Sequence, residues 1–370
     1  MKILFVALTK HQYRYFKELA AHLPFESKLL FLPTLSLDRA GFEDRKKIDY
    51  ARIVARKFKE VDAKYNNPLK RYLYKHFLKV QIPLSVAAIS KAIRTFDPDV
   101  VAFWNGKKFH QALGVEVAKL YGKKSLFFEN GLLPDTTQMD FQGVNASNSV
   151  PRDVDFYKKL QIEKACRLPK KLQVRTPKKR QRTLAQSALP QRYIFVPFQV
   201  AYDTQIIQHS PWIEDMVDFF EIIEEMAQKT GLEFVIKEHP SDRVSDYGAL
   251  HECKTTKIHF STENTQKLIE NADAVLTINS TVGIEGLLLG KRVIVLGEAF
   301  FTIEGIVKTA KDRDTLLQIL QTLETWTPDS ALVQKFLQYL YCVYLIPGSW
   351  KNPDEKHFDA ITKRLQSELS

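Results

Sequence analysis

Three stretches put groups capable of chemistry directly after apolar runs. In INSTVGIEGLLLGKRVIVLG, residues 278–297, Asn279, Ser280 and Thr281 stand where a strand-like run gives way to a helix-like one, with Glu285 one turn further on. Hydroxyls and free backbone N–H groups at a helix start suit a phosphate, and a carboxylate a turn later suits a ribose hydroxyl. A plain N-cap role for Ser280 accounts for the same residues. In LEFVIKEHPSD, Lys237 and His239 follow a strand, with Pro240 stiffening the turn. In YIFVPFQVAYDTQI, Gln199 and Asp203 end another, and Asp203 suits the N-cap of the next segment. Neither GxGxxG nor GxxxxGK[ST] occurs, so a dinucleotide fingerprint or P-loop is not supported.

A fourth stretch, FFENGLLPDTTQMDFQGVNASNSVPRD at residues 127–153, leaves a strand bearing Glu129 and Asn130 and continues as a long polar loop. Loops of that length inside compact domains tend to carry function. Gln138, Asp140, Asn145, Asn148 and Arg152 are expected to line a cleft mouth, where Arg152 could pair with a carboxylate or a phosphate. Asn105 and Lys107, after the run DVVAFW, belong to the same set of strand-end groups.

These side chains need strands to hold them, and the chain alternates apolar runs of four to seven residues with helix-like segments. That is the pattern of parallel sheets covered on both faces. The 370 residues exceed what a single core usually supports. The expected fold is α/β, two Rossmann-like doubly wound domains facing across a cleft, the GT-B layout of nucleotide-sugar glycosyltransferases. The expected divisions are an acceptor domain at 1–160, a basic linker at 161–192, a nucleotide-sugar domain at 193–311 and a helical tail at 312–370. Residues 44–80 read as a basic helical segment, with a separate helix from Pro83 to Phe96.

Net charge is +11, and two segments carry the surplus. Residues 45–79 hold twelve Lys or Arg against three acids, interleaved with aromatic residues; residues 164–192 hold ten and no acid. A solvated face, a nucleic-acid footprint and an anionic membrane surface all fit such runs. No base-reading motif is present, so nucleic acid is not expected, and residues 45–79 suit an anionic inner-membrane surface. Three widely spaced cysteines argue for a reducing compartment and against a disulfide framework. The N-terminal run reads as a buried strand and not as a signal peptide, and no window is long and apolar enough to span a bilayer. The expected location is cytoplasmic, peripheral on the inner membrane.

The runs ENGLLPDTTQMDFQGVNASNSVPRD, VPFQVAYDTQI, IKEHPSD, INSTVGIEGLLLGKRVIVLGEAFF and LIPGSWKNPD together resemble the capsule-synthesis family of Gram-negative bacteria. That family includes retaining β-Kdo (3-deoxy-manno-octulosonic acid) transferases of capsule linkers and O-antigen capping. The resemblance implies transfer of Kdo from CMP-β-Kdo to a glycan or lipid-linked acceptor by double displacement. It implies Asp203 as nucleophile, Glu129 as the acid beneath the donor sugar, and His239, Ser280, Thr281 and Glu285 as CMP-binding positions. With no DxD-like motif at a strand end, metal-independent action without a cofactor is expected. Another CMP- or CDP-linked transferase of the same fold, sialyltransferase-like or a CDP-glycerol phosphotransferase, and a non-enzymatic basic binding protein are the alternatives.

Overall fold

The computed structural model describes residues 1–32, 36–161, 166–172, 189–200, 202–242, 245–252 and 255–369. The chain divides into two units, Met1–Ser149 with Tyr344–Ser370, and Val150–Val343. The first begins with β1 (Lys2–Ala7), α1 (Lys10–His22), β2 (Glu26–Phe31), α2 (Arg39–Asp44), α3 (Ala51–Lys64) and α4 (Pro68–Phe96). It continues through β3 (Val100–Trp104), α5 (Phe109–Leu120), β4 (Lys124–Asn130) and β5 (Thr136–Asp140). The second holds α6 (Val154–Lys159), β6 (Ile194–Pro197), α7 (Thr204–His209), α8 (Met216–Thr230), β7 (Phe234–Lys237), β8 (Ile258–Phe260) and α9 (Thr265–Asn271). It ends with β9 (Ala274–Thr277), α10 (Val282–Leu288), β10 (Arg292–Val295), β11 (Lys308–Thr309), α11 (Arg313–Gln321) and α12 (Ser330–Gln338). The chain then returns to the first unit as β12 (Ile346–Pro347) and α13 (Glu355–Leu369).

Each unit is built on a six-stranded sheet, in the orders β12-β5-β4-β3-β1-β2 and β11-β10-β9-β6-β7-β8. The second is parallel throughout; the first is parallel from β2 to β4, and β5 runs antiparallel to β4. Residues of β1 alternate between two buried layers. Leu4 and Val6 join the core under α4 and α5, while Ile3, Phe5 and Ala7 join the core under α1 and α13. Burial on both faces is why these strands read as unbroken apolar runs.

Helix starts follow local chemistry. Thr9 and Gln12 form a capping box on α1, the Thr9 hydroxyl accepting from the Gln12 N–H at 3.2 Å and the Gln12 side chain accepting from the Thr9 N–H at 3.3 Å. Asn67 caps α4, with Pro68 in the first turn.

The structure corrects four expectations. Helix α4 runs unbroken through Pro83, and the basic segment is interrupted at Ile48–Tyr50 and at Tyr65–Asn67 instead. Pro83 removes one helical hydrogen bond, but the following stretch from Val86 to Ile93 is packed into the core, and that burial outweighs it. The 127–153 stretch is not one irregular loop, because Thr136–Asp140 form the fully buried strand β5. A Cβ on Gly131 would lie 2.2 Å from the Thr136 carbonyl oxygen, so the β4–β5 turn closes only around glycine.

Residues 312–370 are not a separate tail. Leu316 and Leu320 of α11 are buried in the core of the second unit, whereas β12 and α13 complete the first. Finally, Cys166 and Cys342 are joined as a disulfide with a Cα–Cα distance of 6.1 Å, which the wide spacing of the cysteines in sequence did not suggest. Most of the basic stretch 164–192, and Cys253, lie outside the described residues.

Helix α13 is held to the first unit by buried His357. Its Nδ1 donates to the Pro347 carbonyl at 2.8 Å, which leaves Nε2 to accept from the Tyr15 hydroxyl at 2.8 Å. Burial depresses the His357 pKa, against smaller opposing effects of Pro347, Asp354 and Asp135. An unfolded histidine titrates near about 6.5. Below that pH the opened state binds a proton that the folded state refuses, so stability falls as pH drops and is unaffected above it. Hydrogen exchange of α13 amides, corrected for intrinsic rate, should therefore accelerate from about pH 6.5 downward. In His357→Gln that acceleration should vanish; if it persists, another group is responsible.

Candidate active site

In the second unit, the polar groups after β6 and β9 form one hydrogen-bonded knot at the carboxyl edge of the sheet. Gln199 Nε2 donates to Asn279 Oδ1 at 2.9 Å, and Gln199 Oε1 accepts from the Asn279 N–H at 3.2 Å. Asn279 Nδ2 donates to the carbonyls of Gln205 at 3.0 Å and His209 at 2.9 Å, both on α7. Gln199 and Asn279 are buried, so each bond replaces one to water. The far end of α7 is fastened to the loop after β10, where the Glu298 N–H donates to the His209 carbonyl at 2.8 Å and His209 Nδ1 meets Glu298 Oε2 at 2.9 Å. A Cβ on Gly297 would lie 2.6 Å from that His209 carbonyl, so the approach needs glycine.

The knot aims α7, and Asp203 is the residue before it. Asp203 has extended backbone (φ −70°, ψ 145°), caps α7 by accepting from the Gln205 N–H at 2.9 Å, and is exposed. Both readings open in the sequence therefore remain compatible with its position: one carboxylate oxygen caps, and the side chain faces solvent. Ser280 caps locally, its hydroxyl accepting from the Val282 N–H at 3.2 Å. Thr281, at the N-cap of α10, makes no side-chain cap bond, and Glu285 is buried in the first turn. Because α10 spans only seven residues, its dipole adds little, and the hydroxyls matter more than the sequence pattern implied.

Lys237 ends β7 and donates to the Glu263 carbonyl. The half-buried His239 accepts the Ser241 N–H at its Nδ1, 3.1 Å away. Asp242, three residues after His239, receives a 3.4 Å contact from the Tyr247 hydroxyl. Burial holds that phenol well above its ordinary pKa, so it stays a donor.

In the first unit, Glu129 on β4 is gripped by three neutral donors. Asn105 Nδ2 reaches its Oε2 at 2.6 Å, and the backbone N–H and Nδ2 of Asn130 reach its Oε1 at 2.8 and 2.7 Å. Asn105 sits at positive φ (67°), a conformation asparagine tolerates, beside Gly106 at 72°. Lys107 follows, its N–H bonded to Asn105 Oδ1 at 3.2 Å and its carbonyl to Arg56.

Gln138, Asp140 and Asn148 do not line an opening; all three are buried. Gln138 donates to the Asn130 carbonyl at 2.7 Å and exchanges bonds with Asn145 at 3.1 and 3.2 Å. Asp140 accepts from Gln142, Gly143 and Ser149 and from the Tyr344 hydroxyl at 3.0 Å. Gln138 and Asp140 thus hold the loop in shape, which their polar types alone did not reveal. Arg152 belongs to the second unit, exposed, donating to the Val150 carbonyl with its guanidinium 5.8 Å from the Phe300 ring centre.

One residue was missed. Trp350 donates its Nε1 to Asn130 Oδ1 at 2.8 Å and lies 4.3 Å, centre to centre, from Trp104, so the returning chain places an indole beside Glu129 and Asn130. Its only signal was its place in the motif LIPGSWKNPD.

Two sheets with polar strand ends of this kind define a GT-B fold. Over 99% of this chain and all of the other, the structure matches a beta Kdo 2,7 transferase, KpsC of Thermosulfurimonas dismutans, with a TM-score of 0.52 at 12% identity. The chain belongs to the capsule polysaccharide biosynthesis protein family, which it matches over residues 159–350. Protein FixF of Sinorhizobium fredii is 37% identical over 293 residues, 78% of this chain and 71% of that protein. The capsule polysaccharide export protein KpsS of Escherichia coli is 27% identical over 314 residues, 67% of this chain and 78% of that protein.

If the knot positions α7, breaking it should loosen that helix before anything else. Asn279→Ala strands Gln199 Nε2 and two carbonyls, a loss of about 2 kcal/mol. Exchange of α7 amides should then quicken about thirtyfold while the β6 and β9 amides stay protected. Unchanged α7 exchange would show that Asn279 does not fasten it.

Proposed function

We propose that the protein is a retaining β-Kdo glycosyltransferase that uses CMP-β-Kdo as donor and a glycan or lipid-linked acceptor in surface polysaccharide synthesis. The observation that carries this reading is the exposed Asp203 carboxylate, fixed just past the carboxyl edge of a parallel sheet, in a chain of this family and fold. In the first step an Asp203 oxygen bonds to the anomeric carbon of Kdo, and the bond from that carbon to the CMP phosphate oxygen breaks, its electron pair leaving with CMP. In the second step the acceptor hydroxyl oxygen attacks the same carbon, Glu129 takes its proton, and the bond to Asp203 breaks. Two inversions give net retention.

Ser280, Thr281 and His239 are proposed to bind the CMP phosphate, and Glu285 and Lys237 to complete the nucleotide site. Asn279 and Gln199 position α7 from behind. Asn105 and Asn130 orient Glu129, and Trp350 offers an apolar face to a sugar ring. Metal-independent action is proposed with the rest, on the lack of a DxD-like motif at a strand end. A cytoplasmic location, where CMP-linked donors would be met, belongs to the same proposal, and in that reducing compartment Cys166 and Cys342 would stand as a thiol pair.

Asparagine caps helices about as well as aspartate, so Asp203→Asn should fold and bind CMP normally. Its amide cannot attack the anomeric carbon, and transfer should fall by about a thousandfold or more. Wild-type protein given CMP-Kdo without acceptor should gain the mass of one Kdo on the peptide carrying Asp203. Near-normal turnover in Asp203→Asn would refute double displacement; a CDP-alcohol phosphotransferase would show no sugar adduct. The Ser280→Ala, Thr281→Ala double variant should weaken CMP binding by about tenfold in calorimetry, two neutral hydrogen bonds being lost. Unchanged affinity would move the nucleotide site elsewhere.

A further inference from the structure

Among the described residues eleven large hydrophobic side chains are exposed, and five of them fall within twelve residues of one helix. They are Leu69 (65% exposed), Tyr72 (59%), Leu73 (58%), Phe77 (54%) and Val80 (62%), all on the amino-terminal half of α4. Their spacing, i, i+3, i+4, i+8 and i+11, puts them on one side of the helix, together with exposed His76. Leu78 and Ile82 turn the other way into the core, and Tyr74 packs against Tyr65. The helix is therefore anchored on one side and apolar on its exposed side, over a length of about 17 Å. Asn67, Leu69, Lys70, Leu73, Tyr74 and Phe77 line a shallow groove along it, of about 430 Å³.

Cations border this stripe on both sides. By helical geometry Lys70 lies at one margin, and Lys79 and Lys75 at the other. Lys70 stands 4.7 Å from the Tyr65 ring centre and Lys79 5.7 Å from that of Phe58, and both lysines are exposed. The nearby carboxylates are already engaged: Asp62 by Lys75 at 2.7 Å and Arg71 at 3.9 Å, and Glu60 by Lys57 at 2.8 Å.

We propose that this face of α4 seats the protein on an anionic lipid bilayer, with Leu69, Leu73, Phe77 and Val80 entering the acyl boundary and Lys70 and Lys79 meeting the headgroups. Charge decides between occupants. A second copy docked through the same face would bring two lysine borders together, whereas lipid phosphates neutralise them. An apolar stripe flanked by lysines, lying along a surface, is the form an interfacial helix takes. No described helix is long and apolar enough to cross a membrane, so this contact would be made from the bilayer surface. The inference stands apart from the Kdo reading, since it concerns where the protein sits and not what it transfers.

The test is co-sedimentation of the full chain with phosphatidylcholine vesicles containing or lacking about a third phosphatidylglycerol. Binding is expected only with the anionic lipid and should fall at least about tenfold between 0.1 and 0.5 M NaCl, as the Debye length shrinks. Leu73→Ser with Phe77→Ser should lose binding by at least about tenfold at low salt, the apolar contact being gone. Lys70→Gln with Lys79→Gln should lose about twenty- to thirtyfold, from about fivefold per lysine. All four positions are exposed, so Tm should not change; it is measured alongside to keep misfolding out of the comparison. Wild-type binding that both double variants retain would overturn the proposal. So would absence of vesicle binding, or a wild-type dimer in sedimentation equilibrium that Phe77→Ser dissociates.

Discussion

Parallel strands buried on both faces impose the constraint on which both units depend. Where such a strand ends, its backbone leaves the ladder while still close to the core, and polar groups there must find partners or lose free energy. The chain meets this demand with side-chain amides. Gln199 and Asn279 bridge the ends of β6 and β9, and Asn105, Asn130 and Gln138 tie together the ends of β3, β4 and β5. A strand edge thus solved for stability is also a rigid, polar ledge, which is where ligands bind in open α/β sheets.

The same economy explains why the candidate carboxylates differ in setting. Glu129 is on a strand and has both oxygens held by amides, so its orientation is fixed. Asp203 stands before a helix of six residues that has little cohesion of its own and takes its position from Asn279 and Glu298. A proton acceptor profits from fixed direction. A group that must form and release a bond profits from exposure on a braced but short support, as Asp203 has.

The unit boundaries add a second theme, the return of the chain. After α12 the backbone leaves the second unit near Cys342, itself bonded to Cys166, and supplies β12 and α13 to the first. That return carries Tyr344 to Asp140, His357 to Tyr15 and Trp350 to Asn130. The carboxyl-terminal segment therefore finishes the core of the first unit and one wall of its polar ledge, contacts between residues more than 200 positions apart.

The sequence by itself determined the strand and helix alternation, the two-sheet class and most strand-end residues, because apolar runs of that length between helices have few other ways to be buried. Motif order was enough to suggest the family. It misjudged β5, whose TTQMD carries polar side chains on buried positions, since only partners more than 200 residues further along the chain, such as Gly348 and Tyr344, make that burial possible. It split α4 at Pro83, because local propensity cannot weigh one lost hydrogen bond against a packed second half. It set apart residues 312–370 and separated Cys166 from Cys342, because nothing local says where a returning chain lands. Whether a polar residue is buried as part of the scaffold, as Gln138 and Asp140 are, or lies exposed, as Asp203 does, was decided only by tertiary structure, since residue type gives the capacity to hydrogen-bond and the fold decides how far the group is removed from water.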